Sequence, residues 1–217
     1  MWRAVLYKEL RETAWIAGLA LLAYLNLVAG HMGLRLFPWS GGQSGEIPFV
    51  EAAFLSSFVF ISVPLVIALG LRQSTAESIR GTWLFLLHRP AEPWKLVGLK
   101  LTTGTVLYLV CAALPIAIFA WWAATPGTHA SPFDWSMTWS TWSVWFSLSA
   151  MYLGAFLAGI RPAHWFGSRL LPLAAAGLLV MLIEGPPWWW LLRPAIVLLV
   201  DAWLIACILY VARTRDY

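Results

Sequence analysis

Six apolar segments separated by short polar stretches constrain the fold of this chain more than any other feature. They cover roughly residues 14–30, 53–71, 101–124, 142–160, 170–183 and 194–211. A helix needs about 20 mostly apolar residues, within a range of about 17–25, to cross the hydrocarbon core of a bilayer. Five of the segments reach that length. The pattern predicts an all-α, polytopic membrane protein whose 217 residues form one transmembrane domain.

The composition supports a membrane location and excludes an ordinary soluble domain. The chain is 61% hydrophobic and 11% charged, whereas soluble domains are about 45–50% apolar and about 25% charged. One soluble core cannot hide so much apolar surface, so we expect the lipid bilayer to cover it. The 16 Trp residues suit the membrane–water interface, where the indole ring is buried and its N–H stays wet. The net charge of +4 gives no reason to expect a nucleic-acid partner.

The fifth segment, residues 170–183, is the shortest and could dip into the bilayer without crossing it. At about 1.5 Å per residue it spans about 21 Å, against about 30 Å of hydrocarbon. The basic residues decide between the alternatives, because Lys and Arg accumulate in cytoplasmic loops. With six crossings and a cytoplasmic N-terminus, only Arg35 and Arg193 of the 14 basic residues lie outside. We therefore predict six transmembrane helices with both termini in the cytoplasm.

The first 13 residues predict a helix of their own, lying in the membrane interface ahead of the first span. Such a helix has an apolar face made of Trp2, Val5, Leu6 and Leu10, with the charged residues elsewhere. This amphipathic pattern favours a position flat on the membrane surface. The alternative is a cleaved signal peptide. Glu9, Glu12 and the lack of an A-x-A cleavage site argue against cleavage.

The longest polar and basic interruption lies between the second and third segments, at residues 74–100. Ser74 and Glu77 have the spacing of a capping box, which predicts a helix start. The helix would continue to about Leu87 and end ahead of Pro90. It would lie flat on the membrane with a polar side facing the cytosol. The alternative is an ordinary basic loop that only sets the topology.

The order of residues in this interruption gives a more specific signal than its charge. It reads Glu77, then Gly81 and Thr82, a Leu86–Leu87 pair, Pro90, and finally Gly98 and Lys100. This order resembles the ABC-2-type permease family, the membrane subunits of type-2 ABC exporters. Leu99 departs from the Gly-Lys order of that family. The sequence Lys8-Glu9-Leu10-Arg11 ahead of the first span also looks like the amphipathic opening helix of the family.

The resemblance implies that the interruption is a coupling helix seated in a groove of a separate ABC ATP-binding subunit. The residues expected to contact that subunit are Glu77, Arg80, Gly81, Thr82 and Trp83. It further implies export, pairing with a second permease copy of the same or a related chain, and a bacterial inner-membrane location. The re-entrant outer element of the family would map to residues 184–193, which is a short stretch for one.

ATP and Mg²⁺ are expected on the partner, because the sequence has no G-x-x-x-x-G-K-[ST] phosphate loop. No cofactor is expected on this chain, and no enzymatic activity of its own. Two other classes stay open. One is a non-transporting membrane anchor of a complex, which would share the docking helix. The other is an intramembrane enzyme, which would need clustered acids and His, or a Ser–His pair, at one depth.

Asp201 is the only acid well inside a predicted span. Intramembrane acids are costly and usually face a bundle interior or cavity, so we expect a functional role. A hydrogen-bonded packing residue is the alternative. The four His residues lie in loops or at span ends without helical metal-ligand spacing, so no metal site is expected.

Overall fold

The computed structural model describes residues 2–34, 47–80, 93–129, 131–161, 168–185 and 191–214; for Trp2, residues 76–80 and Pro93 it describes the main chain alone. Within these ranges the protein is helical and contains no strand. The helices are α1 (Trp2–His31), α2 (Ala52–Arg80), α3 (Pro93–Ala124), α4 (Trp139–Ile160), α5 (Leu171–Glu184) and α6 (Arg193–Thr214). A short 3₁₀ turn, Trp135–Thr138, precedes α4. All but α5 are long and apolar enough to cross a membrane, which confirms the all-α membrane fold.

The helix α4 lies at the centre of the bundle and contacts α2, α3, α5 and α6. Small residues allow two of these contacts to be very close. A Cβ added to Gly70 of α2 would lie 2.7 Å from Ala155 Cβ of α4, and one added to Gly154 would lie 2.6 Å from Ala176 Cβ of α5. Close backbone approach at small residues is typical of helix packing in membranes. A larger side chain at either glycine would therefore push α4 away from its neighbour.

Successive helices run in opposite directions, which gives the bundle two distinct ends. At one end, Glu9 of α1 pairs with Lys100 of α3, and the guanidinium of Arg213 lies over the Trp94 ring. We call this the Lys100 end. At the other, the His31 end, the His31 ring contacts the rings of Phe54 and Phe119 at centroid distances of 5.4 and 5.7 Å. The described chain thus begins and finishes at the Lys100 end.

The short helix α5 packs along α4 between the two ends of the bundle. Its Pro172 lies beside Gly154 of α4, and its Glu184 accepts a hydrogen bond from Ser143 Oγ at 2.9 Å. It therefore runs antiparallel to α4 toward the His31 end. Its 14 residues cover only about 21 Å, so six membrane crossings remain a prediction.

The boundary predicted between an interfacial helix and the first span, near residue 14, is wrong. The helix α1 continues without interruption over 30 residues, a length of about 45 Å. Residues 2–31 contain no proline, so nothing stops the backbone hydrogen-bond ladder where the charges end. Leu6 and Leu10 are exposed on the bundle surface, but Glu9 is 2% exposed and faces inward.

The capping box predicted at Ser74 is also wrong. Ser74 lies inside α2, where its hydroxyl donates to the Gly70 carbonyl at 2.6 Å and that of Thr75 donates to the Leu71 carbonyl at 2.5 Å. A Ser or Thr inside a helix commonly bonds a carbonyl one turn back. The helix α3 begins at Pro93, ahead of the boundary predicted at residue 101. Proline suits this first position because its missing N–H would have no partner there.

Candidate functional site

Four polar side chains from four different helices meet inside the bundle at its Lys100 end. They are Glu9 of α1, Gln73 of α2, Lys100 of α3 and Tyr152 of α4, and all four are buried. We call them the buried brace. Lys100 Nζ lies 3.0 Å from Glu9 Oε1 and donates to the Gln73 carbonyl at 3.3 Å. One ammonium group therefore links α1, α2 and α3.

Gln73 and Lys100 are also joined by two reciprocal hydrogen bonds, each from the side chain of one residue to the main-chain carbonyl of the other. The Gln73 amide Nε2 donates to the Lys100 carbonyl at 3.3 Å, which reciprocates the bond from Lys100 Nζ. Tyr152 OH donates to Gln73 Oε1 at 2.7 Å and fixes the amide from the α4 side. A Cβ on Gly104 would collide with Gln73 Oε1 and the Tyr152 hydroxyl. Glycine at this position thus leaves the space that the brace occupies.

Burial makes the brace energetically demanding. Taking two opposite charges out of water costs several kcal/mol per ion, and the loss is recovered only with good geometry and further hydrogen bonds. Here the Lys100 and Glu9 side chains are 4% and 2% exposed. Removing one partner would leave the other charge buried and uncompensated. The intact set therefore resists any movement that separates α1, α2 and α3 at this end.

The brace lies next to the predicted coupling residues. Gln73 precedes Glu77 by about one helical turn in α2, and Lys100 follows the start of α3 at Pro93 by about two turns. Gly81, Thr82 and Trp83 lie outside the described residues, as do the side chains of Glu77 and Arg80. The structure thus fixes both helices that lead to the coupling segment, while the contact residues stay a prediction.

Sequence reasoning noted two members of the brace and assigned them other roles. Glu9 was expected in an interfacial helix and Lys100 at the start of the third span. Gln73 and Tyr152 were missed. The available sequence signal for these two residues was their position in stretches that resemble the permease family. Their pairing depends on helix packing and cannot be obtained from one sequence.

Asp201 lies in α6 and faces α4. Its Oδ2 accepts a hydrogen bond from Ser149 Oγ at 2.6 Å. Its Oδ1 is buried and has no hydrogen-bond partner among the described residues. The carboxylate lies about 12 Å along α6 from Arg193. The carboxylate thus has one oxygen held by Ser149 and a second, buried oxygen to which no described residue donates a hydrogen bond.

A second polar cluster lies toward the His31 end and was missed as a unit. The Glu184 carboxylate accepts hydrogen bonds from Ser143 Oγ, Ser147 Oγ and Arg193 Nη1 at 2.9, 2.6 and 3.1 Å. We call these four residues the Glu184 cluster. A cavity of about 210 Å³ adjoins it, with walls that include the indole rings of Trp139 and Trp142. The sequence signal for this cluster was the pair of opposite charges, Glu184 and Arg193, on either side of a short stretch between two apolar segments.

No family model, curated protein or solved structure matches this chain. Over the ranges that the structure describes, no three His, Cys, Asp or Glu side chains are grouped to hold a metal ion. Cys111 and Cys207 are free thiols. The fold and the apolar helices are those of a multi-pass membrane protein, and its activity must be inferred from the two polar clusters and the sequence pattern.

Proposed function

We propose that this chain is the transmembrane permease subunit of an ATP-driven ABC transporter, an exporter coupled to a separate ATP-binding subunit. The observation that carries the proposal is the buried brace. It joins α2 and α3 at Gln73 and Lys100, on either side of the segment whose residue order resembles a coupling helix.

Force from a cytosolic ATPase can move membrane helices only through a stiff connection. A flexible loop between α2 and α3 would absorb the motion. The reciprocal Gln73–Lys100 bonds make the two helices move together, and the Glu9–Lys100 pair extends that unit to α1. Displacement at residues 77–83 would then act on three helices at once.

In this arrangement the ATP-binding subunit carries ATP and Mg²⁺ and contacts Glu77, Arg80, Gly81, Thr82 and Trp83. A second permease copy completes the transport path. The Lys100 end faces the cytoplasm of a bacterial cell, six helices cross the inner membrane, and α5 is one of them.

The test is co-purification with a candidate ABC ATP-binding subunit, chosen as a Walker-containing ATPase from the same genome, followed by ATP hydrolysis measurements in proteoliposomes. We expect Glu77→Ala and Gly81→Trp to lose binding or coupled hydrolysis while membrane insertion stays normal. Glu51→Ala is the matched control, because Glu51 is an exposed acid at the His31 end. Wild-type association and hydrolysis in both coupling variants would exclude the assignment.

A non-transporting anchor is the second candidate, because it could use the same braced docking segment. The two are separated by ATP-dependent flux, screened with candidate substrates in inside-out vesicles. An anchor would bind the ATPase without any ATP-driven movement of solute.

A further inference from the structure

A large groove lies between α5 and α6. Both helices pack against α4 more extensively than against each other. The space between them extends from the middle of the bundle to the Lys100 end, with a cavity volume of about 690 Å³. Apolar side chains from three helices form its walls, among them Leu157, Ala175, Leu179, Trp203 and Cys207. The groove therefore offers a long apolar channel along the helices.

Among the described residues that line the groove, Arg161 is the charged one. It follows the last residue of α4 and is half-buried. Its Nη1 donates to the Ser168 carbonyl at 3.3 Å, which is the only hydrogen bond that the described residues accept from its guanidinium. Nearby, the Arg169 guanidinium donates to the carbonyls of Ala158 and Gly159. The Lys100 end of the groove thus carries positive charge, whereas its walls are apolar.

We propose that this groove binds an anionic phospholipid, with one acyl chain along the apolar walls and the phosphate on Arg161. The inference rests on the membrane fold and does not depend on the proposed transport function. A guanidinium presents parallel N–H donors that match phosphate oxygens. Basic pockets between transmembrane helices are known to take anionic lipid headgroups. The volume lies within the range of about 300–1,000 Å³ seen for ligand sites.

The experiment is native mass spectrometry of the full-length protein in detergent, titrated with phosphatidylglycerol or with phosphatidylcholine. We expect one tightly retained phosphatidylglycerol per chain and weaker retention of phosphatidylcholine. Arg161→Gln should weaken phosphatidylglycerol binding about tenfold or more, because it removes a charge-assisted hydrogen bond. Arg3→Gln is the control, since Arg3 is an exposed arginine on α1 and should leave binding unchanged.

A pair of variants in α5 tests the position of the acyl chain. Ala175→Trp would fill the groove, whereas Ala174 is exposed but does not line it. We expect Ala175→Trp to reduce phosphatidylglycerol binding and Ala174→Trp to retain it. Gel filtration and thermal unfolding check that each variant is folded. If Ala175→Trp does not fold, the lipid binding of Arg161→Gln alone tests the proposal.

Two outcomes would overturn the proposal. One is equal binding of both lipids with no change in Arg161→Gln. The other is efficient cross-linking of two chains through Cys207, which would show that a second copy covers the groove.

Discussion

Two ion pairs of this bundle, Lys100–Glu9 and Arg193–Glu184, have nearly the same length and very different surroundings. In the buried brace, Lys100 and Glu9 lie 3.0 Å apart and are 4% and 2% exposed. In the Glu184 cluster, Arg193 and Glu184 lie 3.1 Å apart and are 13% and 18% exposed. The brace connects four helices, whereas the Glu184 cluster joins α4, α5 and α6 beside an aromatic-walled cavity.

The difference shows why contact distance alone does not indicate the role of an ion pair. A fully buried charge that loses its partner stays uncompensated, so the pair holds helices in place. A partly exposed charge can be rehydrated, so its loss costs less. We infer that the brace is rigid framework, whereas the Glu184 cluster is placed where a bound molecule could reach it.

The largest expected effect is on the brace. Lys100→Met should lower the free energy of unfolding by about 3–5 kcal/mol, because Glu9 is then buried without its cation. Urea or thermal unfolding in detergent would measure this loss of stability. The double variant Lys100→Met, Glu9→Leu should recover a large part of the loss. Lys8→Met is the control, since Lys8 is exposed on the same end of α1. A similar loss in the control and in Lys100→Met would contradict the role of burial.

A smaller effect is expected at Asp201. Ser149→Ala removes the hydroxyl that donates to Asp201 Oδ2 and should cost about 1–3 kcal/mol of stability, because a buried acceptor loses this donor. Asp201→Asn keeps an oxygen for Ser149 and should retain the fold, whereas Asp201→Ala should not. Stability is measured together with the ATP-driven flux that the proposed function predicts. Loss of flux in a stable Asp201→Asn would make the acid functional, and wild-type behaviour of Asp201→Ala in both assays would exclude any role.

Glu184→Gln should have a milder effect than Lys100→Met. The amide oxygen can still accept from Ser143 and Ser147, and Arg193 can be rehydrated. We expect about 1 kcal/mol of lost stability, measured by thermal unfolding. Glu51→Gln serves as the exposed control at the same end of the bundle. A loss as large as that of Lys100→Met would mean that the two clusters do not differ in the way their burial indicates.

The smallest effect concerns Asp134, which precedes the 3₁₀ turn before α4. Its Oδ1 accepts from the Ser136 backbone N–H at 2.7 Å, and this bond holds the pKa of Asp134 below its ordinary value. Because the folded pKa is lowered, the stabilisation is present above the unfolded pKa of about 3.9 and is lost as the pH falls through the folded pKa. Asp134→Asn should remove this dependence. Unfolding temperatures of both proteins, measured across the acid range, would reveal this difference. Identical profiles would contradict a stabilising role for the hydrogen bond between Asp134 and Ser136.

Much of the fold could be predicted from the sequence because membrane helices are local. In hydrocarbon, every backbone N–H and carbonyl must be satisfied within the segment, so an apolar run of sufficient length becomes a helix. The boundaries at residues 14 and 74 were wrong for a related reason. Charged and hydroxyl residues mark where an apolar face ends, but their backbone N–H groups still continue the helical hydrogen-bond ladder.

The candidate sites could be predicted from the sequence only in part. Asp201 could be singled out as a candidate site residue because an acid inside an apolar run is costly wherever the helix lies. Its hydrogen-bond partner Ser149 could not be predicted, because the contact depends on the packing of α4 against α6. Glu9 was predicted at the membrane surface because its neighbours are charged, and packing of α1 against α3 placed it inside. The groove between α5 and α6 had no sequence signal, since its lining residues other than Arg161 are ordinary apolar positions on three separate helices.

The sequence by itself determined that this chain is a helical membrane protein, because the transfer of apolar segments into lipid depends on each segment alone. Only the tertiary structure decided which charges share a buried site. The free energy of an ion pair depends on the distance and the solvent between two residues far apart in the chain. The Lys100–Glu9 and Arg193–Glu184 pairs acquired their different burial only when the helices packed around α4.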